Sequence, residues 1–489
     1  MAVTLPTPLA TGGEVKVAMD WEFQVPQSGA PRNGHDDFHT YYLGYWYPQV
    51  AVFEDVAGDF VADQYLTNAE FYMGYADYDL AFEAPKGWLV RATGTLENEE
   101  AVLTPTARER LAAAASGREV QHVISAADLK AGQVTRMDQG DWLTWHYQAQ
   151  NVRDCAVSVS DRYVWDATHA VIKDQKGAGS DGSAMIHAVY RPEDDSFARA
   201  AEYARHTIEH MSKVVHPYQW PHMTVCGGVI GGGMEFPMMT ICGSGSLGLV
   251  AHELIHMWFP MLVGSNEKAH AWQDEGFTSF FTEYTSAAFS RPDAPVRANA
   301  RGYLGGAARG ESGPLMTHGD YHPSAGRSGY QFASYTKSAA VLHQLRDLMG
   351  DDLFFATFRK YAHDWAFKHP LPQDFFNTFS TAAGQNLDWY WRTWYFETWT
   401  LDQAIESVTA VDGGTDVVVA DLRYATYPTR VQVTYDSGET ETKTIDVAHW
   451  LSGKKTKTLR FGPGVARVDL NPGKLTLDMS ARNDTWKRE

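Results

Sequence analysis

Cysteine is scarce in this sequence: three residues, Cys155, Cys226 and Cys242, among 489. An odd, small number makes no disulfide framework, and the spacing fits no metal motif. The three read as buried thiols, with room for one bridge at most. Long apolar runs are also absent. No stretch approaches the roughly 20 residues that a membrane-spanning helix needs, and the first residues lack the apolar core of a signal peptide. Positive charge is in deficit, with 41 Lys and Arg against 60 Asp and Glu and a net charge of −19. No basic stripe is left for a phosphate backbone to follow, so nucleic acid is excluded as a partner. No repeat of fixed period occurs. The composition, 44% hydrophobic and 21% charged, is that of a soluble globular chain. Its length predicts about two to four domains.

Against this background one stretch stands out, Val250 to Phe280, which reads VAHELIHMWFPMLVGSNEKAHAWQDEGFTSF. It holds His252, Glu253 and His256 in the order H-E-x-x-H, and Glu275 follows 275 − 256 = 19 positions later. The surrounding Leu249, Val250, Leu254, Ile255, Met257, Trp258 and Phe259 predict a buried helix, capped at Ser246 and stopped by Pro260. Positions i and i+4 share a helix face, so His252 and His256 can present two ring nitrogens to one ion. Glu253 lies about 100° further round, beside the ion and not on it, where a general base belongs. A catalytic zinc usually takes three protein ligands and a water. Glu275 is the candidate third ligand, on a second helix expected from Trp272 to about Phe289. Histidine and carboxylate ligands favour zinc among the divalent metals, one ion per chain. Asp274 and Asn266 are candidates to hold the outer nitrogens of the histidines.

The sequence HELIHMWFP followed by GSNEKAHAWQDEGF resembles the gluzincin family of aminopeptidase N and leukotriene hydrolase, whose pattern is H-E-x-x-H, eighteen residues, then E within W-x-x-E-G-F. Two further motifs lie in the family's order. Gly232 to Phe236 reads G-G-M-E-F, similar to the family's G-A-M-E-N or G-G-M-E-Y, and Ser334 to Ala339 reads S-Y-T-K-S-A, similar to Y-x-K-G. The resemblance implies a zinc aminopeptidase acting on peptides with a free amino terminus. It implies Tyr335 as donor to the oxyanion and, more weakly, Tyr330 as a second active-site tyrosine. It also implies Glu235 as ligand of the substrate α-ammonium, with Gly232 and Gly233 letting backbone approach the bound peptide. Phe236 departs from the family's Asn and leaves substrate preference open. The family's further amine-binding Gln or Glu has no clear equivalent in HTYYLGYWYP, where Tyr42, Tyr45 and Trp46 are candidates for lining the first side-chain pocket. The competing readings are a thermolysin-type endopeptidase and a non-catalytic peptide-binding scaffold.

The expected fold is multidomain α+β. Residues 1–193 carry alternating runs, Glu14 to Val25, Tyr41 to Phe53, Glu70 to Ala84, Trp88 to Leu96, Asp141 to Tyr147 and Ala156 to Trp165, with a short helix or loop from Glu109 to Gly117. They resemble the second half of the family's amino-terminal β-saddle, the first half being absent from this chain. Residues 194–400 resemble its thermolysin-like catalytic domain. Helices are expected at Phe197 to Val215, Tyr330 to Met349, Leu353 to Trp365, Gln373 to Ala383 and Trp389 to Phe396, strands at Met223 to Ile230 and Glu235 to Cys242, and a loop at Gly302 to Gly329. Residues 401–489 alternate as a small β-sandwich.

Overall fold

A computed structural model describes residues 3–27, 32–63, 70, 72–138, 140–172, 182–228, 230–292, 300–322, 327–473 and 476–489. The chain is a multidomain α+β protein. Near its centre is a six-stranded mixed sheet in the order Gly233–Phe236, Met239–Cys242, His222–Gly227, Ser183–Tyr190, Val164–Val171, Gln121–Ile124. The strands Ser183–Tyr190, His222–Gly227 and Met239–Cys242 run parallel, and the other pairings are antiparallel. The expected boundary at residue 193 falls inside this sheet. The change there from alternating to helical periodicity marks only the start of the crossover helix Ala200–Val214 between two parallel strands. A parallel pair needs such a crossover, so the switch in period carries no information about where a domain ends. Near residue 400 the last helical turn, Arg392–Phe396, gives way to the first strand of the following sheets, Gln403–Val411.

The expected strand Glu235 to Cys242 is a hairpin, Gly233–Phe236 and Met239–Cys242, with Glu235 paired to Thr240. Pro237 and Met238 make the turn, Met238 at φ 61. The result is that Glu235 lies on the edge strand of the sheet. Residue 229 of the neighbouring expected strand lies outside the described residues.

Behind the sheet, Leu247–Ile255 carries the H-E-x-x-H and Glu275–Ser290 carries the third candidate ligand. The first helix closes at His256, one turn before Pro260, and tightens through bonds from Met257 N–H to Leu254 O and Trp258 N–H to Ile255 O. The second begins at Glu275, not Trp272, because Ala271–Gln273 forms a 3₁₀ turn. Both rest on a cluster of phenylalanines, Phe259, Phe277, Phe280, Phe281, Phe354, Phe358, Phe375 and Phe379, all buried. Each such burial is worth about 1.5–3 kcal/mol. Ring pairs such as Phe375–Phe379, 4.4 Å between centroids, lock the helices together. The helices Asp351–Trp365 and Pro372–Ala383 supply four of these rings from their apolar faces.

The glycine-rich stretch 302–329 is not one loop. It contains the helix Ala300–Ala308 and the start of Arg327–Gln331, and residues 323–326 lie outside the described set. Gly306 permits that helix, since a Cβ there would overlap the Phe332 ring. The expected helix from Tyr330 is Arg327–Gln331, a π-helical turn Phe332–Lys337, and Ser338–Met349.

Most expected amino-terminal strands form, among them Thr40–Leu43, Ala76–Pro85, Leu89–Ala92 and Trp142–Val152, and Pro105–Ser116 is a full helix. Residue 71 of the expected strand Glu70 to Ala84 lies outside the described residues. Residues 14–25 form no strand. Val15, Val17, Met19, Trp21 and Phe23 alternate as a strand should, but no described segment pairs with them and all five are exposed. After residue 400, two antiparallel sheets of three and four strands share a core of Val417, Val419, Val431, Val433 and Val468. They include Gln403–Val411 and Thr485–Lys487, which the alternation did not predict. All three cysteines are free and buried.

Candidate metal centre

The two helices bring His252, His256 and Glu275 to one point. Nε2 of His252 lies 3.2 Å from Oε2 of Glu275, and Nε2 of His256 lies 3.6 Å from the same oxygen. The two imidazoles stand nearly perpendicular, 89° apart, with ring centroids 4.9 Å apart. Ligands about 2.0–2.1 Å from a tetrahedral zinc lie roughly 3.3–3.4 Å from one another. The observed spacing therefore fits a zinc ion, and the donor set, two imidazoles and one carboxylate, is one that zinc takes.

The second helix can reach this point because of Gly276. A Cβ there would overlap Oγ of Ser338 and crowd the Ser334 carbonyl, so only glycine lets the first turn of Glu275–Ser290 touch the turn that carries Tyr335. The Tyr335 hydroxyl donates to Oε1 of Glu275. Its ring stacks on His252 at 5.9 Å, and Tyr330 stands 6.3 Å from it, edge to face. Burial and the neighbouring Glu275 charge raise the Tyr335 pKa well above the ordinary tyrosine value. At neutral pH it keeps its proton and remains a donor.

Glu253 follows His252 on the same helix and is buried. Its carboxyl packs against Gly233 so closely that a Cβ on that residue would overlap it. Oε2 of Glu253 is buried without a hydrogen-bond partner. Desolvation, reinforced by Glu235, pushes its pKa well above the usual carboxylate range. A buried carboxyl that readily holds a proton suits proton transfer.

Glu235 stands elsewhere than beside the shared point of the three ligands. Its Oε1 is 3.8 Å from Nδ1 of His256, the ring nitrogen away from Glu275. It too is buried and unpartnered, and burial raises its pKa. Asp274 occupies the same side of His256, with Oδ1 2.6 Å from Nδ1. It is thus placed to fix the ring, although Thr278 Oγ1 (3.2 Å) and the Phe259 carbonyl (3.0 Å) share that nitrogen. Although burial opposes it, the Glu235 and Asp274 charges hold the His256 pKa well above the usual histidine value. Asn266 does not reach either histidine. Its Oδ1 accepts from Ala269 N–H and shapes the 266–270 turn.

Gly232 takes φ 91, which favours glycine. Its carbonyl is already engaged by Gly243 N–H at 2.7 Å. Of the three aromatic candidates upstream, only Tyr45 reaches the site, its ring 5.5 Å from Phe236. A Cβ on Gly44 would overlap the Phe236 ring, so Gly44 makes the seat for that side chain. Tyr42 is core, and Trp46 donates to the Cys155 carbonyl.

Sequence reasoning missed two charged pairs here. Glu70 is buried, and accepts from Nε of Arg32 at 3.1 Å and from the Tyr45 hydroxyl at 3.0 Å. Arg153, 1% exposed, pairs with Glu267 at 3.0 Å and donates to the carbonyls of Met73, Pro260 and Ser265. It thereby ties the amino-terminal strands to the segment after the H-E-x-x-H helix. Neither pair has a short-range spacing, since 38 residues separate Arg32 from Glu70. The only local hint is the density of charge in GSNEKAHAWQDEG, nearly all of it buried.

Residues 244–394 match the family model described as the Peptidase family M1 domain. The chain is 30% identical over 134 residues to endoplasmic reticulum aminopeptidase 1 of Mus musculus, a match covering 27% of this chain and 14% of that protein. It is 29% identical over 143 residues to aminopeptidase N of Canis lupus familiaris, covering 28% and 15% respectively. The matched stretch is thus about a seventh of the length of these relatives. In three dimensions the chain is similar to the crystal structure of Legionella pneumophila aminopeptidase A in complex with aspartic acid. The TM-score is 0.60 at 14% identity, over 89% of this chain and 47% of that one, a likeness of fold.

Proposed function

We propose that this chain, whose residues 244–394 match the Peptidase family M1 domain, is a zinc-dependent aminopeptidase that removes the first residue of peptides with a free amino terminus. The observation that carries the reading is the convergence of His252, His256 and Glu275 at zinc-ligand spacing, with the unpaired Glu253 carboxyl alongside.

His252, His256 and Glu275 would hold the zinc, which when bound would supply an acidified water and polarisation of the scissile carbonyl. Glu253 takes the proton from the attacking water and delivers it to the leaving amine, and its buried, unpaired oxygen has no other hydrogen bond to break first. Tyr335 donates a hydrogen bond from its hydroxyl to the oxyanion that develops on the carbonyl, next to the Glu275 carboxylate it now touches. Asp274 holds the His256 ring against rotation. Glu235, buried on the edge strand with an oxygen that has no hydrogen-bond partner, receives the substrate α-ammonium, which supplies the missing donor. The free side of that strand accepts the peptide backbone by strand addition, with Gly232 and Gly233 at its start. The reading includes a β-saddle-like amino-terminal unit, a thermolysin-like catalytic unit whose sheet begins before residue 193, and a β-sandwich after residue 400.

The test is hydrolysis of a panel of aminoacyl amides, each paired with its amino-acetylated form, before and after chelation and zinc return. Turnover of free amino termini only, lost with chelator and restored by zinc, is expected. Cleavage of the acetylated substrates turns the reading to an endopeptidase. No turnover with zinc bound turns it to a peptide-binding scaffold.

A further inference from the structure

Tyr335 sits within the π-helical turn Phe332–Lys337, and a fully buried lysine ends that turn. The Lys337 ammonium donates to the Gly313 carbonyl at 3.0 Å and to the Glu397 carbonyl at 3.0 Å. No ion pair to it exists among the described residues, and burial alone lowers its pKa to about 7. Glu397 itself closes a second π-helical turn, Arg392–Phe396, through its N–H to Arg392 O. The same second turn accepts Met316 N–H on the Tyr395 carbonyl, which fixes the segment holding Gly313. One nitrogen thus ties the tyrosine-bearing turn to two other segments.

Burying an ammonium among neutral groups is unfavourable, and a methionine of similar length would fill the same slot without that cost. What lysine adds is the pair of hydrogen bonds. A π turn holds one residue more than the α-helical ladder, and relaxation to the α form rotates the residues within it by about 100°. Such a rotation would carry the Tyr335 hydroxyl off Glu275. Gly276 leaves room for the contact but does not enforce it. We propose that Lys337 is a positioning residue: its bonds to Gly313 and Glu397 hold the π turn in the register that aims Tyr335 at the Glu275 carboxylate and the reacting carbonyl. This rests on the reading of Tyr335 as oxyanion donor.

The experiment is a double-mutant cycle of Lys337→Met and Tyr335→Phe on an aminoacyl amide, with kcat and KM measured separately. Zinc content and amide hydrogen exchange are followed in the same proteins. Lys337→Met is expected to fold, bind one zinc, and lose about tenfold to a hundredfold in kcat with KM within about twofold. The double variant is expected to fall no further than Tyr335→Phe alone. Exchange should quicken at 332–337 and not at 343–349. Lys337→Gln, which keeps two N–H donors without charge, carries the test if the methionine variant unfolds, and is expected to retain kcat within about tenfold. Multiplicative losses in the double variant, or unchanged kcat in Lys337→Met, overturn the inference. Should Tyr335→Phe itself keep full kcat, the reading of Tyr335 fails instead, and exchange at 332–337 still reports whether Lys337 holds the turn.

Discussion

The segments around the metal centre and the two sheets after residue 400 use buried positions in opposite ways. In the sheets the core is aliphatic: Val417, Val419, Val431, Val433 and Val468 are fully buried. The buried acid Asp421 has Lys455 2.9 Å from Oδ2, although its Oδ1 has no hydrogen-bond partner. At the metal centre Glu235, Glu253, Glu267, Asp274 and Glu275 are all within 5% exposure, and Glu235 and Glu253 each keep an oxygen with no partner. Unpaired buried carboxyls oppose folding. The phenylalanine cluster beneath them supplies apolar burial that offsets this cost. On the proposed reading the first region carries the chemistry at the expense of stability, and the second contributes stability. Substitutions in the two should therefore separate activity from folding.

Among substitutions outside the proposed ligands and base, the largest effect is expected from Gly233→Ala. The added Cβ displaces the Glu253 carboxyl, and kcat/KM should drop by roughly 10²–10³-fold while the thermal midpoint stays near that of wild type. Retained kinetics would show that Glu253 moves freely and that the packing is not what positions it. Next is Tyr335→Phe, with a loss of about a hundredfold in kcat and little change in KM. In the sheets Val433→Ala should reverse the pattern, costing about 2 kcal/mol in urea unfolding with kcat of the folded enzyme unchanged. A fall in kcat there would mean that the two regions are coupled.

The smallest effect is a pH dependence in the second region. Burial, with Asp478 and Asp402 nearby, raises the Asp484 pKa to about 7. A carboxyl whose pKa is raised on folding binds its proton more tightly in the folded chain. Its contribution is therefore most favourable below the unfolded value near 4 and is lost as pH rises from about 4 to about 7. Asp484→Asn should match wild type at pH 4 and exceed it by about 1 kcal/mol above pH 7, once solvent screening of this half-buried group is allowed for. Parallel stability curves for the two proteins would remove Asp484 from the account.

How much of this was legible in the sequence follows the range of the interactions. The H-E-x-x-H helix and the Glu275 helix were readable because their spacing is local and their surroundings are apolar. The expected strands after residue 400 were readable because alternation recurs from Gly414 to Leu470, interrupted by turns and the short helix Val447–Leu451. Tyr335 was reached only through a family pattern. The structure supplies its physical signal, the glycine after Glu275 that lets two helices meet. Arg153 with Glu267, Arg32 with Glu70, and Lys337 with two carbonyls were not legible, since each partner is far along the chain. The hairpin at Pro237–Met238 was hidden because its two strands are short and mostly buried, so the proline passed for part of one strand. Residues 14–25 show the converse: perfect alternation, and no partner among the described residues to make it a strand.

The most direct test of the central claim is zinc content and turnover measured together on Glu253→Gln. The amide keeps the size of the side chain and removes the proton acceptor. The expected result is one zinc per chain, as in wild type, with no measurable hydrolysis of aminoacyl amides. Undiminished zinc with sustained turnover would contradict the assignment of Glu253 as the base, and loss of zinc would mean that Glu253 belongs to the ligand set in place of one of His252, His256 and Glu275.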